Sequence, residues 1–323
     1  MYLAAPLMSL YVQRYPHLRR VSSFLALAVL VASLVAASFA QTVGHLMLTQ
    51  GVMYALGGLV LYFPAIQILD EWFVRRKGLA YGIMWAGTGA AGVAVALTPA
   101  TYFLKPRIPL PATRSPRPVD LSFVKTVPFW LLQIGNITEG LGYFMPSLYL
   151  PAYANRIGLP ALTGTLSLSL YNTALIIGSF AIGLIIDRFH VTTGILLCTI
   201  GSALSIFILW GFALSQPLIY VFAIAYGVSA GGFATTWSGC AGLLRGSSDT
   251  NVDTGMVIAL FAAGKGVGSV VSGPLSESLL SMDAWRGQAG GAYGTGYGPV
   301  LVFAGLSALL GGIGWVGKRV GLL

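Results

Sequence analysis

The sequence predicts an all-α membrane protein of two helical bundles, an incomplete first one with about four helices and a second with six. Three observations predict it. Charged residues make up only 8% of the chain, against about 25% in a soluble domain. Hydrophobic residues make up 56% and the mean hydropathy is +0.81. Apolar runs of roughly bilayer length follow one another along the chain and are divided once by a long polar stretch. The boundaries drawn from these features are 1–104 for the first bundle, 105–127 for a cytoplasmic Pro- and Arg-rich linker, and 128–323 for the second bundle.

Taking about 20 apolar residues as one helical crossing, the first bundle contains a short run at 1–13, then 21–40, 43–66 and 79–104. The linker, KPRIPLPATRSPRPVDLSFVK, is too rich in proline for a regular helix and too charged for lipid. The second bundle contains runs at 128–152, 162–186, 191–214, 217–244, 254–280 and 297–317. These runs are continuously apolar, without the alternation that a lipid-facing strand shows, so helices are expected and a barrel is not. The 42 glycines fit helix backbones that approach closely where lipid gives no hydrophobic drive for association. Pro146, Pro151 and Pro274 fall inside runs and predict bends. GKGVGS around Lys265 lacks the spacing of a phosphate-binding loop and sits within an apolar run.

The net charge of +9 does not point to nucleic acid, because the basic residues sit in short loops and form no basic face interleaved with aromatics. Their positions report topology instead. If 14–20, 70–78, 105–125, 187–190, 245–253 and the C-terminal tail share the cytoplasmic side, that side holds all 18 Lys and Arg except Arg156, Lys265 and Arg286. The arrangement requires both ends of 79–104 to lie inside, which one crossing cannot satisfy. About 26 residues reach roughly 39 Å as one helix, too short for two crossings. The expectation is a fusion of two helix halves whose shared outer loop is missing.

EWFVRRKGLAYGIMWAGTGAAG, Glu71 to Gly92, resembles the fifth-helix signature of the monocarboxylate transporter-like branch of the major facilitator superfamily. Trp72, Phe73, Arg75, Arg76, Leu79, Ala80, Gly82, Ala86, Gly87 and Gly92 match it, while Tyr81 and Thr88 depart from it. YFLKPRIP, GYFMPSLYLPAYA, GLIIDRFH, GGFATTWSG, GKGVGSVVSGPLSE and GYGPVLVFAG resemble the fungal members in order and spacing. The resemblance implies a twelve-helix ancestor with two six-helix halves that alternately open a central cavity. It also implies that the first helix, the end of the fifth and the start of the sixth are absent here.

Ionisable groups within a span are functional candidates by default. Lys265, deep in 254–280, is suited to holding a carboxylate in a central cavity, and its alternative is a structural pairing with Glu139 or helix-end carbonyls. Glu139 is a candidate proton carrier, or else an interhelical hydrogen-bond donor. Asn172 is a candidate substrate contact, with packing as its alternative, and Asn136 has the same two readings. Asp187 and Arg188 resemble the inner-loop motif of the superfamily and predict a cytoplasmic gate closed by ion pairs. Arg75, Arg76 and Lys77 either serve the first half in the same way or simply mark topology. Cys198 and Cys240 lie in apolar runs and read as packing residues. His17, His45 and His190 form no grouping with Cys or acid that has metal or nucleophile spacing. The sequence therefore predicts no enzyme, no cofactor and no metal, and its partners are the lipid bilayer, a small organic anion and a proton.

The functional expectation is a proton-coupled symporter of monocarboxylate-like anions, placed in the plasma membrane. The rival is a truncated, transport-inactive homologue that acts as a membrane interaction protein or arises from an imperfect gene.

Overall fold

The computed structural model describes residues 2–15, 18–73, 76–89, 121–246 and 252–323. Among them there is no strand. A 3-10 turn, Tyr2–Ala4, leads into α1 (Ala5–Arg14). Then come α2 (Arg19–Ser38), α3 (Val43–Trp72) with a π turn at Met47–Met53, and α4 (Lys77–Gly89). A second 3-10 turn, Ser122–Lys125, precedes α5 (Val127–Tyr143), α6 (Met145–Arg156), α7 (Ala161–Arg188) and α8 (Val191–Trp210). The chain ends with α9 (Gln216–Gly231), α10 (Thr236–Gly246), α11 (Thr254–Ser281), α12 (Gly298–Leu310) and α13 (Ile313–Arg319).

Local chemistry accounts for many of the helix starts. Proline stands in the first turn of α1, α5, α6, α9 and α12, where its missing N–H would be unpaired anyway. Thr42, His190 and Asp253 cap their helices by accepting the backbone N–H of His45, Thr192 and Met256.

Seven described helices are long and apolar enough to cross a membrane. Three predicted runs are broken where the sequence reading had them continuous. The 128–152 run stops at Phe144, because Pro146 has no N–H to give and its ring crowds the carbonyl one turn back. Gly231 and Gly232 open the 217–244 run into a 3-10 turn, Phe233–Thr235, and Gly311 and Gly312 divide the 297–317 run. Glycine has the lowest tendency to hold a helix of any residue but proline. The 1–13 run forms a helix of only 10 residues. Beyond Gly89 the expected fusion lies outside the described residues, as does most of the linker. The linker's described end packs inward through Phe123, which meets Phe129 with ring centroids 5.6 Å apart.

Two hydrophobic clusters hold the molecule. One joins the N-terminal helices to the C-terminal ones through Phe63, Tyr81, Trp85, Phe129, Trp237 and Phe261. The other lies wholly in the C-terminal helices, around Tyr153, Trp210, Phe222 and Tyr226. The N-terminal helices meet the C-terminal set along two seams, α4 against α7 and α1 against α11.

Candidate functional site

α5 and α11 cross closely enough to join two charges buried in the bilayer-spanning part of the molecule. A Cβ on Gly268 would lie 2.5 Å from the Ile137 carbonyl oxygen, and one on Gly140 would lie 3.0 Å from that of Lys265. Only glycine fits such a crossing. Two amides brace it: Gln133 donates to the Leu260 carbonyl at 2.9 Å and Asn136 to the Phe261 carbonyl at 2.7 Å. Asn136 also accepts from the Trp237 indole at 3.0 Å, so both ends of its amide are engaged between helices.

On this frame Lys265 Nζ lies 3.1 Å from Glu139 Oε2, with both residues buried. The ammonium also sits 3.3 Å from the centroid of the Tyr143 ring and 5.5 Å from that of Phe233. Removing one partner from such a pair costs about 3–5 kcal/mol, because the survivor is left buried and unpaired.

Lys265 borders a cavity of about 250 Å³ between the N-terminal and C-terminal helices. Tyr2 and Trp85 form one wall, Tyr143, Phe144 and Tyr171 another, and Asn172, Ser147 and Ser179 add polar edges. The structure thus brings together Lys265, Asn172 and, one contact behind the wall, Glu139. The Asn172 amide donates to the Leu168 carbonyl at 3.0 Å, leaving its oxygen available.

The predicted gate residues are elsewhere, at the ends of helices. Asp187 accepts the backbone N–H of Gly78 at 2.7 Å and of Leu79 at 2.8 Å. It therefore caps α4 across the seam, where the negative charge meets the positive end of the helix dipole. Among the described residues the hydrogen-bond partners of Asp187 are these two backbone N–H groups, and Arg188 lies exposed beside it. Arg76 is exposed with φ 57°, and its carbonyl accepts the Ala80 N–H. Arg75 lies outside the described residues.

The same end carries contacts that the sequence reading missed. Asp70, at the end of α3, pairs with Lys77 and lies 3.6 Å from Arg245 of α10. Arg245 in turn donates to the Val252 carbonyl at 2.8 Å and to the Thr254 hydroxyl. Gln13 of α1 donates to Asp253 at 2.9 Å. The available signal was the scarcity of acids: with nine in the chain, each one at the end of an apolar run is a candidate lock. The aromatic walls carried no such signal, because aromatics are plentiful throughout.

No protein-family model matches the chain. The MFS-type transporter pynF of Aspergillus niger is 26% identical over 80% of this chain and 65% of its own length. Monocarboxylate transporter 11 of Mus musculus is 27% identical over 78% of this chain and 65% of its own. The agnestins efflux protein AgnL12 of Paecilomyces divaricatus is 24% identical over 88% and 68%. The chain thus spans just under two thirds of the length of the first two of these curated relatives. Its fold matches the crystal structure of a bacterial homologue of the iron transporter ferroportin in an outward-facing state. The TM-score is 0.60 at 15% identity, and 99% of this chain and 87% of that one are covered.

Proposed function

With the major facilitator fold of a multi-pass membrane protein as the premise, and transporters of that superfamily as its relatives, we propose that the chain carries the site of a proton-linked transporter for monocarboxylate-like organic anions. The observation that carries this reading is the buried Lys265–Glu139 pair at the edge of the cavity between the two sets of helices. In the absence of substrate, Glu139 neutralises Lys265. A proton taken up by Glu139 releases the ammonium, and the substrate carboxylate replaces Glu139 as its partner. At no stage is an unpaired charge left in the low-dielectric interior. One proton and one anion are therefore bound together, which is the stoichiometry of a symporter.

Alternating access then requires the helices before the linker and those from Val127 onward to rock about the site. The contacts of Asp187, Arg245 and Gln13 support a state closed at the basic, cytoplasmic end, in which the cavity serves the opposite side. They must break for the other state to form.

The test is acid-driven uptake of radiolabelled lactate, pyruvate and benzoate into vesicles reconstituted with the protein. Lys265→Gln is expected to lower uptake at least about 100-fold, matching the loss of a buried charge pairing of about 3 kcal/mol. Glu139→Gln is expected to retain carboxylate exchange and lose the acceleration by an inward proton gradient. The double variant, which keeps the pair neutral, controls for folding. Uptake by Lys265→Gln equal to that of the parent protein ends the proposal.

A further inference from the structure

Resting on the reading of Lys265 as the anion anchor, we infer that the cavity prefers a monocarboxylic acid bearing one flat aromatic ring, of about the size of benzoate or phenylacetate, over a short aliphatic acid. Three features argue for it. The first is volume. A cavity of about 150 Å³ accommodates a benzene ring, and the volume here is about 250 Å³, enough for one ring and its carboxylate. A three-carbon acid would leave much of that space empty, with wall atoms lacking contact partners.

The second feature is the walls. Trp85 faces the cavity from α4, and Tyr143 and Tyr171 face it from α5 and α7. These are flat surfaces with a negative face and a positive edge, which favour offset or edge-on contact with another ring. The third is that the rings are held before any ligand arrives. Tyr171 stacks on Tyr226 with centroids 5.9 Å apart and planes 18° from parallel. Trp85 is fixed edge-on against Trp237 at 5.3 Å and tilted against Tyr62 at 5.7 Å. Walls already ordered spare a ligand the entropy of ordering them. The carboxylate end is set by Lys265, while Ser147, Asn172 and Ser179 can meet a ring substituent.

The test measures binding to the full chain in lipid nanodiscs by isothermal titration, with benzoate, cyclohexanecarboxylate, lactate and benzyl alcohol as probes. Benzoate is expected to bind about tenfold tighter than cyclohexanecarboxylate or lactate, the scale of one to two aromatic contacts. Benzyl alcohol, which lacks the charge, is expected to bind far more weakly. Trp85→Leu or Tyr171→Leu should bring the ratio of benzoate to cyclohexanecarboxylate close to one, and Trp85→Phe or Tyr171→Phe should preserve it. The Phe variants keep the test sound if a Leu variant misfolds. Equal affinity for benzoate and cyclohexanecarboxylate, with both lost in Lys265→Gln, overturns the ring preference and leaves the anion site standing. Carboxylate binding that is absent, or indifferent to Lys265→Gln, brings down the anchor itself and this inference with it.

Discussion

The two seams between the N-terminal and C-terminal helices are built differently. Where α4 meets α7, backbone meets backbone. A Cβ on Gly78 would lie 2.6 Å from the Gly183 carbonyl oxygen, one on Gly82 would lie 2.6 Å from that of Ser179, and one on Gly183 would lie 2.6 Å from that of Gly78. Asp187 then caps the start of α4 with two charge-assisted hydrogen bonds. Where α1 meets α11, side chains do the joining. Ala5, Met8, Ser9 and Val12, spaced along one helical face, are buried, and Gln13 donates a hydrogen bond to Asp253. Opening this end of the molecule must therefore separate close backbone contacts along one seam and mainly side-chain contacts along the other. The α4–α7 seam sets the energy of opening, and the α1–α11 seam follows.

The largest expected effect comes from forcing the tighter seam apart. Gly82→Leu drives a side chain into the Ser179 carbonyl and is expected to destabilise the protein by about 1–3 kcal/mol, the usual cost of overpacking. Gly266→Leu in the other seam meets Tyr2 Cβ at 2.8 Å and the Leu3 backbone nitrogen at 3.2 Å, both longer than the 2.6 Å at Gly82. A smaller loss in melting temperature is expected. If the two variants melt alike, the contrast between the seams is wrong. Next in size is Asp187→Asn, which keeps the shape and removes the charge. Asn keeps one of the two acceptor oxygens, and losing the other together with the charge at the helix start costs about 1 kcal/mol, which raises the open population about fivefold. A cysteine placed at Leu79 should then react correspondingly faster with a water-soluble maleimide, whereas Gln13→Ala should change that rate much less.

How much of this was legible in the sequence depends on whether partners are near or far along the chain. The apolar runs and their basic ends are local features, and the structure gathers Lys77, Asp187, Arg245 and Asp253 at one end, as the distribution of charge required. Lys265 and Glu139 were legible because a charge in an apolar run is costly wherever it falls. Their pairing was one of two alternatives, because 126 residues separate them and only the glycine crossing of α5 and α11 decides it. The partner of Asp187 was not legible, since a backbone N–H has no residue signature. The break at Phe144 was legible as a bend through Pro146, whereas those at Gly232 and Gly311 were not, because hydropathy stays high there while the backbone leaves the helix. The cavity walls escaped for a related reason: five aromatics from several elements become one surface only after folding.

The smallest expected effect is a pH dependence confined to the weaker seam. Asp253 is crowded by the surrounding helix ends, and the loss of water there, with the nearby carboxylate of Asp70, holds its carboxyl above the ordinary carboxylate range. The Met256 N–H and Arg245 pull the other way without cancelling it. A raised value in the closed state means that this state binds a proton more readily than one in which Asp253 is hydrated. Lowering the pH through the interval between the ordinary and the raised value therefore favours closure, and raising it favours opening. Asp253→Asn removes the titration while keeping an oxygen for the Met256 N–H and for Gln13, so the maleimide rate at position 79, divided at each pH by that of a free thiol to remove the thiol's own titration, should lose its rise with pH in that interval. A slope that survives this substitution, and disappears instead in Asp187→Asn, would assign the pH response to the backbone seam and reverse the order of the two.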